Sequence, residues 1–375
     1  MTTAAARSNI LSIGFELSKK TWRLAFSDGQ TIRQRTLAAG DQAALRCEIT
    51  AAKQKLGLPA DAPVRSCYET GRDGFWVHRL LTKLGVDNRV VDAASIEVPR
   101  RGRNAKTDRL DAEKLVRKLM AFWGGETTVW RVARVPSPND EDQRRPQREA
   151  ERRKHERTAH RARIASLLAL HGVTARLNAA QKLAVAVEKL RDWDGQPLPA
   201  ALREELEREL KRLEQVHEQI VALEKQQQAA WKTPGTEAQK QVAKLLALRA
   251  VGPVSAALLV CELFGWRQFR NRREVGALAG LCGTPHASGE MARDQGISKA
   301  GNKRVRWVMV ELAWSWLRYQ PVSELTKWFW KRFGHGNRRL RRVGIVALAR
   351  KLLVALWKYL ERGELPAGAV LRSVG

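Results

Sequence analysis

ILSIGFELSKKTWRLAFSDGQTIRQRTL, residues 10–37, holds three runs rich in β-branched, aromatic and alternating apolar residues, cut by two short polar breaks. Ile10 to Leu17, Thr21 to Ser27 and Thr31 to Leu37 are predicted as strands. The breaks, Ser18-Lys19-Lys20 and Asp28-Gly29-Gln30, suit tight hairpins, so three antiparallel strands in a meander are expected. In the first of them Leu11, Ile13 and Phe15 face one way and Ser12, Gly14 and Glu16 the other.

Downstream the periodicity changes. A helix is predicted from Ala43 to Leu56, a strand from Val64 to Thr70, a helix from Phe75 to Leu84, a strand from Asn88 to Asp92 and a helix from Thr107 to Leu119. The order βββαβαβα is that of the ribonuclease H fold, an α/β architecture.

Four carboxylates occupy telling places in that order. Glu16 ends the first strand, and Glu69 closes another just before Gly71 and Gly74, so both belong at one edge of the sheet. Asp108 and Asp111, three apart, share one helix face, with Thr107 as a candidate cap. Singly, each has a plain explanation: a helix-start charge, a partner for Lys114 or Arg109, a turn residue. Together they would repel one another unless a cation lay between them, and hard oxygen donors favour Mg²⁺ or Mn²⁺. Such a site activates phosphodiester chemistry.

From Pro136 the composition shifts, and Pro-Ser-Pro-Asn-Asp-Glu-Asp-Gln-Arg-Arg-Pro reads as a linker ahead of the dense charge of Arg148 to Arg163. Leu206, Leu213 and Ile220 recur at heptad spacing, with Val216 and Leu223 at the second seam position, which predicts a short coiled coil able to pair with the Arg-rich helix. The expected division is an α/β catalytic domain over 1–135, a linker and basic helical arm over 136–238, and a mostly helical domain over 239–375. In the last, Trp266, Trp307, Trp314, Trp316, Trp328, Trp330 and Trp357 are predicted to pack in a core or interface. Residues 246–260, with Val251-Gly252-Pro253 as the turn, read as a helix-hairpin-helix in which backbone amides near Gly252 could hold a phosphate. Lys299-Ala-Gly-Asn302-Lys303-Arg304 reads as a phosphate-gripping helix start capped by Ser298, with Lys299, Asn302, Lys303, Arg304 and Arg306 on phosphates. Arg103 and Lys106, ahead of the acidic pair, are further candidate nucleic-acid contacts.

The chain has 375 residues, 44% of them hydrophobic, enough for two or three ordinary cores. Its formal net charge of +29 points to a polyanionic partner, with nucleic acid foremost. Cys47, Cys67, Cys261 and Cys282 have neither Cys-x-x-Cys nor zinc spacing and read as small buried hydrophobes of a reducing compartment. Without a signal-like start or a long uncharged apolar run, the chain is expected to be cytoplasmic, associated with the nucleoid and not membrane-bound. No Gly-x-x-x-x-Gly-Lys-[Ser/Thr] loop is present to bind a nucleotide.

Ser12-Ile-Gly-Phe-Glu-Leu-Ser-Lys-Lys20, Lys106-Thr-Asp-Arg-Leu-Asp-Ala-Glu-Lys-Leu115, Ala277-Leu-Ala-Gly-Leu-Cys-Gly-Thr-Pro-His-Ala-Ser-Gly-Glu290 and Gly296-Ile-Ser-Lys-Ala-Gly-Asn-Lys-Arg-Val-Arg-Trp307 resemble the DEDD-type insertion-sequence transposases. These pair a RuvC-like domain with a serine-bearing C-terminal domain, and the resemblance is weakest over 136–240. It implies that Glu16, Glu69, Asp108 and Asp111 are the acidic catalytic positions and Ser288 the nucleophile, forming a covalent link to DNA. It also implies donor and target DNA as partners, a structured bridge RNA as guide, and a homo-oligomer, dimeric and tetrameric when active. Glu16 departs from the family's usual aspartate and extends the carboxylate by one methylene. Two other functions are open to these residues: a hydrolytic RuvC-like nuclease of the junction-resolvase type, and a non-catalytic nucleic-acid-binding protein.

Overall fold

The computed structural model describes residues 9–71, 74–96, 108–174, 187–288 and 291–372; for 94, 108–110, 285–288 and 291–295 it describes the backbone alone. The chain divides into two units, Met1–Pro136 and Ser137–Gly375.

In the first unit the meander forms as β1 (Leu11–Leu17), β2 (Thr21–Ser27) and β3 (Ile32–Ala38), paired antiparallel. After α1 (Gln42–Lys55), β4 (Val64–Glu69) joins β1 in parallel. After α2 (Trp76–Lys83), β5 (Asp87–Val91) joins β4, giving a mixed sheet of order β3-β2-β1-β4-β5. Asp41 caps α1 by accepting from the Ala44 amide.

Strand alternation distributes the core. Leu11, Ile13, Phe15, Trp22, Leu24, Phe26, Val64 and Tyr68 bury one face of the sheet with Leu45 and Ala52 of α1 and Val77 and Leu81 of α2. On the other face α3 (Asp108–Trp123) packs Ala112 and Val116 on Ala25, and Leu115 and Leu119 on Cys67 and Val91. Gly14 is where α3 meets β1: a Cβ there would stand 2.5 Å from the Ala112 carbonyl oxygen and 2.7 Å from the Val116 amide nitrogen. No side chain larger than hydrogen fits without lifting the helix.

The stretch expected to be a linker is helical. Ser137 and Asp140 form a capping box that starts α4 (Pro138–Asp142), and α5 (Arg145–Ala169) follows almost at once. Proline stands in the first turn of both helices, where its missing N–H costs nothing. α5 pairs with α6 (Ala200–Lys232), burying Ile164 and Leu168 against Leu206, Leu210 and Leu213. Val216 and Ile220 continue the buried seam, as their spacing predicts.

The same unit holds α7 (Glu237–Leu246), α8 (Pro253–Leu259) running on into a π turn (Val260–Phe264), α9 (Arg272–Leu278), a hairpin of β6 (Gly283–Ser288) and β7 (Met291–Ile297), then α10 (Lys303–Tyr319), α11 (Glu324–Phe333) and α12 (Arg338–Arg362). Leu245, Leu259, Met309, Trp316, Phe329 and Leu352 centre its core. Trp316 and Trp357 are buried as expected, but Trp307 is 59% exposed, and Trp314 and Trp330 are likewise on the surface. Heptad spacing keeps Trp307 and Trp314 on one face of α10, and that face is the outer one. Among the described residues no helix is long and apolar enough to cross a membrane.

Candidate functional site

β1 and β4 run parallel with Phe15 beside Tyr68, so Glu16 and Glu69 come one step later at adjoining carboxyl ends. Both line one cavity of about 210 Å³ with Phe15, Leu17, Tyr68, Thr70 and Gly71. They lie on the α3 side of the sheet, and Arg23 faces Glu16 across the β1–β2 ladder. Asp108 is the first residue of α3, and Asp111 lies in the same first turn, directly before Ala112 at the Gly14 contact.

The structure thus brings Glu16 and Glu69 together, while Asp111 does not line their cavity and accepts from Lys114 Nζ at 3.3 Å. The Asp108 carboxylate, and Arg103 and Lys106 altogether, lie outside the described residues. Among the described residues no three carboxylate, imidazole or thiol groups cluster closely enough to hold a metal. Two carboxylates on adjoining strands nevertheless suit Mg²⁺, which keeps several waters and takes further oxygens from a bound phosphate.

Ser288 is the last residue of β6 and pairs with Met291 at the end of a two-stranded hairpin. Its side chain lies outside the description. Asn302, not Ser298, caps α10: its Oδ1 accepts from the amides of Arg304 and Val305. Arg306 is tied to the carbonyls of Ala279 and Lys299, whereas Lys299 and Lys303 are exposed. Lys299 has φ of +56°, in the left-handed region. Gly252 precedes α8 at φ −90°, with nothing within 4 Å of where its Cβ would stand. The neighbouring carbonyls are all claimed: Arg249 by Gln320, Ala250 by Ser315 and Val251 by Arg372.

One constellation has no counterpart in the sequence reading. Glu262, in the π turn and 6% exposed, accepts from Arg148 Nε at 2.9 Å and NH2 at 3.1 Å, from Asn302 Nδ2 at 3.2 Å and from Arg304 NH1 at 3.3 Å. Arg304 also reaches Glu151 at 3.1 Å. Burial pushes the Glu262 carboxyl up, but the Arg148 hydrogen bonds and the charges of Arg148, Arg144 and Arg304 outweigh it and hold the carboxyl below its ordinary value. The network locks α5, the π turn and the start of α10 to one another. Glu209 of α6 plays a like part in the helix pair, accepting from His160, Arg163 and Arg212. No local pattern marks either glutamate, because Arg148 lies 114 residues from Glu262 and Arg163 lies 46 from Glu209.

The Cys67 and Cys261 thiols are poor nucleophiles. Burial, then the charge of Glu69, drives the Cys67 thiol far up, and burial, then Glu262, pushes Cys261 up to about 11. All four cysteines are free; Cys67 is buried as expected, whereas Cys261 and Cys282 are half-buried and Cys47 is exposed.

The signature of the Transposase IS116/IS110/IS902 family matches residues 242–327, from α7 into α11. A Sinorhizobium fredii protein named "Putative transposase y4rJ" is 41% identical over 374 residues, covering 96% of this chain and 94% of its own. A Pseudomonas aeruginosa protein named "Probable family 20 transposase" is 31% identical over 55% of this chain and 59% of its own. The "Transposase for insertion sequence element IS1328" of Yersinia enterocolitica is 30% identical over 32% of this chain and 36% of its own. On the near-complete span of the first likeness and the motif match of the last unit, the chain belongs to the IS116/IS110/IS902 transposase family.

Proposed function

We propose that this chain is the transposase of an insertion sequence and that it cuts and rejoins DNA with an acidic, metal-assisted site and a serine nucleophile. In this reading the first unit has a ribonuclease-H-like, RuvC-like fold, which its strand order β3-β2-β1-β4-β5 and flanking helices support. Residues 1–135 supply the acids, 136–238 a helical arm and 239–375 the serine. The observation that carries the proposal is the shared cavity of Glu16 and Glu69, with the acidic start of α3 one turn from Gly14.

Glu16 and Glu69, with Asp108 and Asp111, are the residues to hold Mg²⁺ or Mn²⁺, which when bound supplies charge stabilisation at phosphoryl oxygens. Ser288 Oγ forms the bond to phosphorus, gives up its proton, and one deoxyribose oxygen leaves as a hydroxyl. The new phosphoserine ester keeps the energy of the broken bond, so a hydroxyl of another strand end can reverse the step without a nucleotide cofactor. Lys299, Lys303 and the backbone around Gly252, with Arg103 and Lys106, hold backbone phosphates of the nucleic acid. The +29 charge favours both DNA and a structured bridge RNA as partners, and exchange of two duplexes calls for a homo-oligomer.

The test incubates the purified chain with Mg²⁺, DNA carrying its element's ends and RNA transcribed from the flanking non-coding sequence. A detergent-resistant DNA–protein adduct, lost in Ser288→Ala and in EDTA, is expected. Nicked DNA without any adduct, made equally well by Ser288→Ala, would replace this reading with hydrolysis.

A further inference from the structure

A cleft of about 430 Å³ lies between α5, α8 and α10, lined by Trp307, Val254, Leu258, His155, Lys154 and Lys303 among others. It holds a flat aromatic ring with apolar neighbours and a rim of basic side chains. Trp307 is 59% exposed, a large indole left in water one turn from the exposed ammonium of Lys303. The wall behind it is rigid: Arg304 is fixed by both Glu151 and Glu262, and Leu258 is 3% exposed. An exposed tryptophan in a preformed pocket is a stacking surface awaiting a second flat group. The exposed Lys303 at its edge selects a partner that carries negative charge beside that group.

We propose that this cleft binds an unpaired nucleotide of a single strand, its base stacked on Trp307 and its phosphate at Lys303. A peptide is disfavoured: Lys154 is paired with Glu224 and Arg304 with Glu151 and Glu262, which leaves the exposed Lys303 as the cation the cleft offers, in a chain of net charge +29. A paired base is disfavoured because stacking on a side chain needs an open face. The strand is DNA or RNA, since the stacking chemistry is common to both. This site rests on the reading of the chain as a nucleic-acid-binding transposase and extends it to a place outside the acidic cavity.

Affinities of the full chain for a labelled oligothymidylate, an oligouridylate and a blunt duplex of equal length, all in EDTA, test it without any strand cleavage. Trp307→Ala is expected to weaken binding of at least one single strand by about tenfold and leave the duplex within about twofold. Trp307→Phe retains most of the affinity, and Trp314→Ala, an exposed tryptophan on the same helix that does not line the cleft, has no effect. Selective loss with DNA, RNA or both supports the site and says which strand it takes. Unchanged single-strand binding in Trp307→Ala, or an equal loss in Trp314→Ala, overturns it while leaving the transposase reading intact. Failure of the unsubstituted chain to bind any of the three would instead strike at that reading.

Discussion

Gly14 is the residue on which the placement of α3 turns. A methyl group there meets backbone on the helix side, which cannot rotate away as a side chain could. Gly14→Ala should therefore cost about 3 kcal/mol in chemical denaturation, at the upper end of overpacking penalties. Glu262 is the second such residue. Because its carboxyl is held below the ordinary range, its contribution is fully present above the usual carboxylate pKa and is lost as pH falls through the lowered folded value. Glu262→Gln should destabilise by about 3 kcal/mol at pH 7. The gap to the unsubstituted chain should close as urea midpoints are followed down to about pH 3; a gap that stays constant with pH would deny the ion pair its role. Glu16 and Glu69 were legible from alternation within their own strands. Glu262 was not, because its importance comes from arginines on two other elements.

Elements were legible where one short window carries both the pattern and its punctuation. All five strands and three helices of the first unit stand within a few residues of expectation, since all but the edge strand β3 bury side chains between polar turns. The stretch after Pro136 reads as a linker only while proline counts as a breaker; Ser137-Pro138 with Asp140 three residues on from the serine is a helix start. The β6–β7 hairpin went unread because Gly283 to Ser288 lacks the β-branched run of a core strand. On α6 the heptad reading holds at Leu213 and has a direct consequence. Leu213→Ala should cost about 3 kcal/mol, whereas Val221→Ala, at a half-exposed position on the same helix, should change stability by less than about 0.5 kcal/mol.

For the whole molecule, charge sets the mode of partnership. With a formal +29, duplex binding should fall by about a thousandfold between 50 and 200 mM salt, the behaviour of a surface neutralising six or more phosphates. A salt-independent affinity would mean that the surplus lies away from the bound DNA. In the proposed mechanism the acids, Glu16, Glu69, Asp108 and Asp111, are drawn from Met1–Pro136 and the nucleophile, Ser288, from Ser137–Gly375. If those parts come from different subunits, mixing Ser288→Ala chains with Asp108→Asn chains should restore recombination that neither supports alone. Sequence carried the family through contiguous motifs, and the meeting of Glu16 and Glu69 at one sheet edge through alternation and strand order. It could not carry the exposure of Trp307 or the packing of α5 against the π turn, which depend on contacts between distant segments.

The central claim is that one divalent ion is gathered by the acidic edge of the first unit. Electron paramagnetic resonance of Mn²⁺ titrated into the full chain with its DNA tests it most directly. One tightly held ion per chain is expected, lost in the Glu16→Gln, Glu69→Gln double variant while DNA binding persists; Mn²⁺ held equally well by that variant would contradict the account.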